Sequence, residues 1–325
     1  MNQDINYQQA FAWAIQMTAQ TDYQSLTHDF LRYLEQFPFV SHAAAYEIYG
    51  ERSLRTGQAA SGCEQLVRRF PLDIGNEEPE EDFDLLREIQ TTLEFNPSKP
   101  DSKGLYTQVL ASIRDVSGPD RAILLYGEFD ASALELIASS IVLYRNQVAL
   151  HDAKERDPLT KLPNRQSFEA RIQQVGEHFR SRPLTDKVLD KSSWIAMLDL
   201  DHFKRINDNY GHMQGDQVLL IFSRLLEKYF RYNDFLFRFG GEEFVVILNL
   251  VNQADANGTF QRFREGVAAY KFPVPEQISV SIGAAHIDGG VAPEVLLDRA
   301  DQALYASKKS GRNRLTIYES LEQAC

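Results

Sequence analysis

Phe235-Leu236-Phe237-Arg238-Phe239-Gly240-Gly241-Glu242-Glu243-Phe244-Val245-Val246-Ile247-Leu248 reads as two strands folded back at Gly240-Gly241, where glycine supplies backbone freedom for the turn. A third strand runs from Trp194 to Asp201. Its core, Trp194-Ile195-Ala196-Met197-Leu198, is continuously apolar, as for a central strand covered on both faces. Helical spacing marks Ser167 to Phe179, Gly215 to Tyr229, Thr259 to Tyr270 and Pro293 to Ser310, and Ile278 to Ile287 reads as a further strand. The order predicts an α/β (α+β) sandwich with helices over a mixed or antiparallel sheet.

Asp199 abuts the apolar strand, where an acid without a partner is costly. If the hairpin lies beside that strand, Glu242 and Glu243 join it. Two like charges about 4 Å apart cost roughly 1 kcal/mol in water and about 4 kcal/mol at an intermediate dielectric. Converging acids therefore call for a cation, and an all-oxygen donor set suits Mg²⁺ or Mn²⁺. Two such ions could clamp a phosphoryl centre. Lys204, Arg238, Lys308 and Arg312 are cations set in an acidic chain, which points to an anionic ligand such as a triphosphate. The basic run 308–314 also fits a helix C-terminus. Asn207 and Asp216 flank a glycine-rich turn and could read a base. A carboxylate accepts from guanine N1–H and its exocyclic amine, but Asp216 also fits a helix N-cap.

Six ordered segments resemble the GGDEF family of diguanylate cyclases: 157–165 (Asp157-Pro158-Leu159-Thr160 onward), 199–208 (Asp199-Leu200-Asp201-His202-Phe203-Lys204 onward), 211–216, Arg238 to Phe244, 279–283, and Ala303 through Asn313. They span about Asp157 to Tyr318. The resemblance implies a palm-like nucleotide cyclase domain, a central mixed sheet flanked by helices, that joins two GTP into cyclic di-GMP with release of two pyrophosphates. By position, Asp199, the Leu200 carbonyl and Glu243 would hold two Mg²⁺ (or Mn²⁺) ions, and Glu242 would help deprotonate the ribose 3′-hydroxyl. Asn207 and Asp216 would read guanine, with His212 nearby. The His202 and Phe203 amides, Lys204, Lys308 and Arg312 would hold phosphates, and Asp201 has either a structural or a chemical role. Glutamate stands at the third motif position, Lys161 where the family often has glycine, and the stretch 182–191 looks like a surface insertion. Arg231 and Asp234 fall at the family's Arg-x-x-Asp product-inhibition site, with Arg262 as its second arginine. The alternative is a catalytically silent cyclic di-GMP receptor, or a cyclase of different base choice.

The first half opens with a helix from about Tyr7 to Phe37, dipping near Thr21-Asp22, followed by strands at His42–Tyr49, Leu105–Val116 and Arg121–Gly127. The last two are broken by the turn 117–120, and the acidic run 76–84 reads as a solvated loop. Leu134, Ile137, Ile141, Tyr144, Val148 and His151 form a heptad-like seam. Its first half is expected to pack on its own domain and its second half to pair across a homodimer. The order looks like a smaller α/β GAF-like sensory domain (1–133), a helical linker (134–156) and the cyclase domain (157–325). His42, His151 and Cys63 show no metal-ligand spacing.

At 325 residues, 43% hydrophobic and 25% charged, the chain reads as a two-domain globular protein. Its net charge of -12 argues against nucleic acid or an anionic membrane as partner. Two cysteines, Cys63 and Cys325, no signal-like start and no span-length apolar run point to a cytoplasmic setting.

Overall fold

Leu26, Phe30 and Leu34 recur along one helical face, and all three are fully buried in a computed structural model of the chain. The structure describes residues 7–49, 66–70, 95–114, 118–181, 192–231, 234–274, 276–288 and 290–322. Cys63, the acidic run 76–84, the stretch 182–191 and Cys325 lie outside the described residues. The chain divides between Lys154 and Glu155 into two compact units.

In the first unit the opening helix is two helices, α1 (Tyr7–Thr18) and α2 (Tyr23–Leu34). The break falls at the expected dip because Asp22 caps α2, its carboxylate accepting from the Ser25 amide at 2.9 Å. The strands β1 (Val40–Tyr49), β2 (Leu66–Phe70), β3 (Phe95–Pro97), β4 (Tyr106–Ile113) and β5 (Asp120–Phe129) form an antiparallel sheet in the order β2-β1-β5-β4-β3. Helix α3 (Ala131–Glu155) follows.

The seam on α3 corrects one expectation. Ile137, Ile141, Tyr144, Val148 and His151 are all buried, so its second half is not left for a partner. Tyr144 explains part of this. Its ring stacks on Phe30 at 4.2 Å and its hydroxyl meets Thr27 Oγ1 at 2.7 Å, and burial pushes its phenol up to about 12. Further along, Asp152 receives both terminal nitrogens of Arg121 at 2.8 Å. What remains outward is a different stripe: Val142, Asn146, Ala149, Leu150 and Ala153 are exposed.

The second unit starts with α4 (Arg165–Ser181), capped by Asn164, whose side chain accepts from the Ser167 amide. Then come β6 (Ser192–Leu200), α5 (Phe203–Tyr210), α6 (His212–Tyr229), β7 (Phe235–Arg238), β8 (Glu243–Val251) and α7 (Gln253–Ala269). The chain closes with β9 (Val280–Ile287), α8 (Pro293–Lys309), β10 (Leu315–Ile317) and α9 (Tyr318–Glu322). The sheet order is β10-β9-β6-β8-β7. Only β10–β9 is parallel among these pairs, so the sheet is mixed. The apolar run 194–198 is its buried middle strand. Helix α8 lies against β9 at Gly283, where an added β-carbon would land on the Leu304 amide nitrogen and the Ala300 carbonyl.

Two helix starts differ from the sequence reading. α6 begins at His212, not Gly215, so Asp216 is an exposed residue of the second turn and not an N-cap. α7 begins at Gln253, not Thr259. Asn252 caps it by accepting from the Asp255 amide at 2.8 Å, and its first turns lack the apolar residues that would mark periodicity.

Candidate active site

β6 and β8 bring the acids together. In their antiparallel register Asp199 stands directly opposite Glu243. Directly opposed residues share one sheet face with β-carbons about 5 Å apart, and like charges there are destabilising. Lys308, from the last turn of α8, supplies a positive charge: its Nζ lies 2.7 Å from Asp199 Oδ2. The balance is still short of cation. Burial raises the Asp199 carboxyl above its usual range despite Lys308 and the charge of Arg312. Glu242 is also raised, by burial first and then by Asp199. Glycine at 240 serves space rather than unusual backbone angles, because a β-carbon there would stand 2.6 Å from Glu243 Oε2. Gly240 and Gly241 are absent from the positive-φ glycines.

These residues fit a divalent cation. Asp199 already pairs with a cation, burial raises its carboxyl and that of Glu242, and the donors are hard oxygens suited to Mg²⁺ or Mn²⁺. Among the described residues, no three His, Cys, Asp or Glu side chains are grouped as a complete ligand set.

Arg238, expected to face an anionic ligand, is engaged within the domain. Its Nη1 lies 2.8 Å from Asp157 Oδ1, its Nη2 donates to the Gly241 carbonyl at 2.8 Å and its Nε to that of Gly240 at 3.2 Å. It fixes the hairpin turn to the segment before α4. Burial opposes the charge on Asp157, but the Thr160 hydrogen bonds and Arg238 outweigh it and hold the carboxyl below its usual range. A hollow of about 450 Å³ beside the turn is lined by Asp157, Arg165, Arg238 and Phe239 among others. Asp199, Glu242 and Glu243 do not line it.

The other expected residues are distributed around the β6 end. His202 takes a left-handed conformation (φ 60°) just before α5, whose first residues are Phe203 and Lys204. Lys204, His212, Asp216 and Arg312 are exposed. Asn207 Oδ1 is buried without a hydrogen-bond partner and lies against Gly215, where a β-carbon would stand 1.9 Å from it. Asp201, left open by the sequence, is buried and accepts from Ser279 Oγ (2.6 Å), Ser281 Oγ (2.7 Å) and the Asn313 amide (3.0 Å). Sequence reasoning missed both serines as partners; their alternate positions at the start of β9 were the available signal.

The expected inhibitory residues sit apart from the acids. Asp234 is buried, and its carboxylate accepts from the Arg231 amide at 2.8 Å and the Asn249 amide at 3.2 Å. Arg262 is exposed on α7 and donates to Thr259.

A family model described as Diguanylate cyclase, GGDEF domain, matches residues 154–314. Diguanylate cyclase DgcP of Pseudomonas aeruginosa is 42% identical over 174 residues, covering 52% of this chain and 25% of that protein. Diguanylate cyclase DgcM of Escherichia coli is 34% identical over 203 residues, 62% of this chain and 47% of that protein. The chain thus spans between a quarter and a half of the length of these two curated relatives. Among solved structures, the GGDEF domain of DgcB from Caulobacter crescentus in complex with c-di-GMP covers 51% of this chain and is itself covered to 96%, at 31% identity and a TM-score of 0.45. Residues 154–314 of this chain are a GGDEF domain of the diguanylate cyclase family.

Proposed function

We propose that the chain is a diguanylate cyclase that condenses two GTP into cyclic di-GMP and releases two pyrophosphates. The observation that carries this reading is the cross-strand pair Asp199–Glu243, with Glu242 beside it and Lys308 on Asp199. Asp199, the Leu200 carbonyl and Glu243 would hold two Mg²⁺ or Mn²⁺ ions, whose bound charge polarises phosphoryl oxygens. Glu242, with its raised pKa, takes the proton from the 3′-hydroxyl of one GTP. That oxygen bonds to the α-phosphorus of the other GTP while the bond to pyrophosphate breaks, and the second linkage forms the same way. Asn207 and Asp216, with His212 near, read guanine. The His202 and Phe203 amides, Lys204, Lys308 and Arg312 hold phosphates. Arg238 acts by holding the hairpin. Purified chain with GTP and Mg²⁺ is expected to yield cyclic di-GMP by mass spectrometry, and excess EDTA to abolish it. No product from the metal-loaded chain would sink the reading.

Product inhibition fits Arg231 and Arg262, with the buried Asp234 shaping the turn rather than reaching the ligand. The first unit is proposed as a GAF-like sensor. Two GTP-loaded domains must meet, so the active form is a homodimer, and the outward stripe of α3 is the surface proposed for it. Val142 and Leu150 are 57% and 64% exposed there, and their spacing with Asn146, Ala149 and Ala153 suits a helix pair. Leu150→Glu is expected to convert dimer to monomer in sedimentation velocity and to cut turnover at least about tenfold, more than a stripe left in solvent would. An unchanged sedimentation coefficient would place the dimer contact elsewhere. No helix among the described residues is long and apolar enough to cross a membrane.

A further inference from the structure

Three non-glycine residues of the second unit's site region are left-handed, one adjoins Asp201 in sequence, and one is bonded to its carboxylate. Arg312 (φ 63°) and Asn313 (φ 45°) are consecutive left-handed residues after α8, and His202 (φ 60°) follows Asp201 directly. Such conformations are disfavoured for most side chains with a β-carbon, Arg312 included and Asn313 least, and consecutive ones persist where the surroundings hold them. Here the surroundings can be named. Asp201 Oδ2 accepts from the Asn313 amide at 3.0 Å and from Ser279 Oγ at 2.6 Å, and Asp201 Oδ1 accepts from Ser281 Oγ at 2.7 Å. The Asp201 amide donates to the Ser279 carbonyl at 2.9 Å. From the far side, Arg264 Nη1 reaches Asn313 Oδ1 at 2.9 Å and its carbonyl at 3.3 Å, while the Arg312 amide donates to the Ser307 carbonyl at 3.0 Å.

We infer that Asp201 is a positioning residue: it ties the Arg312–Asn313 turn to the ends of β6 and β9 and so fixes where the Arg312 and Lys308 cations meet the phosphates of the substrate. The inference rests on the cyclase reading. Asp201 is buried and its carboxylate accepts three protein hydrogen bonds, so no direct role on substrate or metal is assigned to it. A backbone held in a disfavoured conformation relaxes when its tether is cut, and Arg312, which is exposed and whose own backbone is otherwise held by the Ser307 carbonyl and by Arg314 Nε on its carbonyl at 3.2 Å, moves with it. The base-reading residues Asn207 and Asp216 lie on α5 and α6 and share none of these bonds.

The test is equilibrium binding by calorimetry on the full chain with Mg²⁺, using 3′-deoxy-GTP, which lacks the attacking hydroxyl, and guanosine, which lacks phosphates. Asp201→Asn replaces one acceptor oxygen by a donor amide. It is expected to weaken 3′-deoxy-GTP about tenfold, or about 1.4 kcal/mol, and leave guanosine unchanged. Ser281→Ala removes one bond of the same network with little threat to folding, and a smaller loss in the same direction is expected. If Asp201→Asn does not fold, Ser281→Ala decides. Variants that bind both ligands as the wild type does, or lose both in parallel, overturn the inference. A wild type that holds 3′-deoxy-GTP no tighter than guanosine overturns the cyclase reading and the inference together; normal wild-type preference with unaltered variants overturns the inference alone.

Discussion

Glu243→Gln is expected to lower cyclic di-GMP formation by about three orders of magnitude, in the range seen when one group stabilising transition-state charge is removed. The reasoning is geometric. Glu243 is the direct cross-strand neighbour of Asp199, and its carboxylate occupies the space over Gly240 that a side chain there would fill. Glutamine keeps that shape. The turn is held mainly by backbone, since the Phe239 and Gly240 amides donate to the Glu243 carbonyl at 2.8 and 3.1 Å. Stability should therefore change by less than about 1 kcal/mol. What is lost is a negative oxygen donor. Turnover by mass-spectrometric product assay, beside a thermal melt, reads both quantities. More than a tenth of wild-type turnover would remove Glu243 from the reacting centre, and a large fall in melting temperature would assign it to structure.

The largest stability effect is expected in the first unit, at Arg121. This guanidinium is 1% exposed, lies 4.1 Å over the Tyr23 ring, and makes two 2.8 Å bonds to the buried Asp152. Its Nε is 4.0 Å from the buried Glu47. Both acids are buried beside this guanidinium. Burial opposes the charge on Arg121, yet Tyr23, Asp152 and Glu47 hold its pKa well above the usual value. Arg121→Met takes the guanidinium from two buried carboxylates and should cost about 3–5 kcal/mol. For a unit of this size, that lowers Tm by roughly 10 °C. Adding Asp152→Asn and Glu47→Gln removes those charges and should recover a good part of it. Urea or calorimetric unfolding of the three proteins checks the order. A cost under about 1 kcal/mol for Arg121→Met would mean that the cluster is solvated in the folded chain.

The contrast between these two places shows what a sequence reveals. The β6 strand was legible because burial on both faces demands an unbroken apolar run, and the hairpin because its turn residues interrupt two such runs. Site acids adjacent to those signals were legible with them. The Asp201 network was not, because Ser279, Ser281 and Asn313 lie 78 to 112 residues away in the chain, and only folding makes them neighbours. Arg121 and Asp152 were hidden for the same reason. The three-residue strands β3 and β10 are too short for alternation to register. On α3, spacing alone found a real stripe but could not tell which of two surfaces it would meet. Its inward burial follows from the aromatic ring of Tyr144 and the carboxylate of Asp152, each of which has a partner on its own domain.

The close seat of α8 on β9 gives Gly283 leverage over chemistry it never touches. One methyl group there acts as a wedge under the helix at Ala300 and Leu304. Lys308 rides on the same helix one turn further on, about 6 Å along the axis. A helix tilted by that wedge would carry the Lys308 ammonium off Asp199 although every polar residue of the site is intact. Gly283→Ala is thus expected to cost the second unit about 1–3 kcal/mol, because the clash is with helix backbone, and to lower turnover with every polar residue of the site still present.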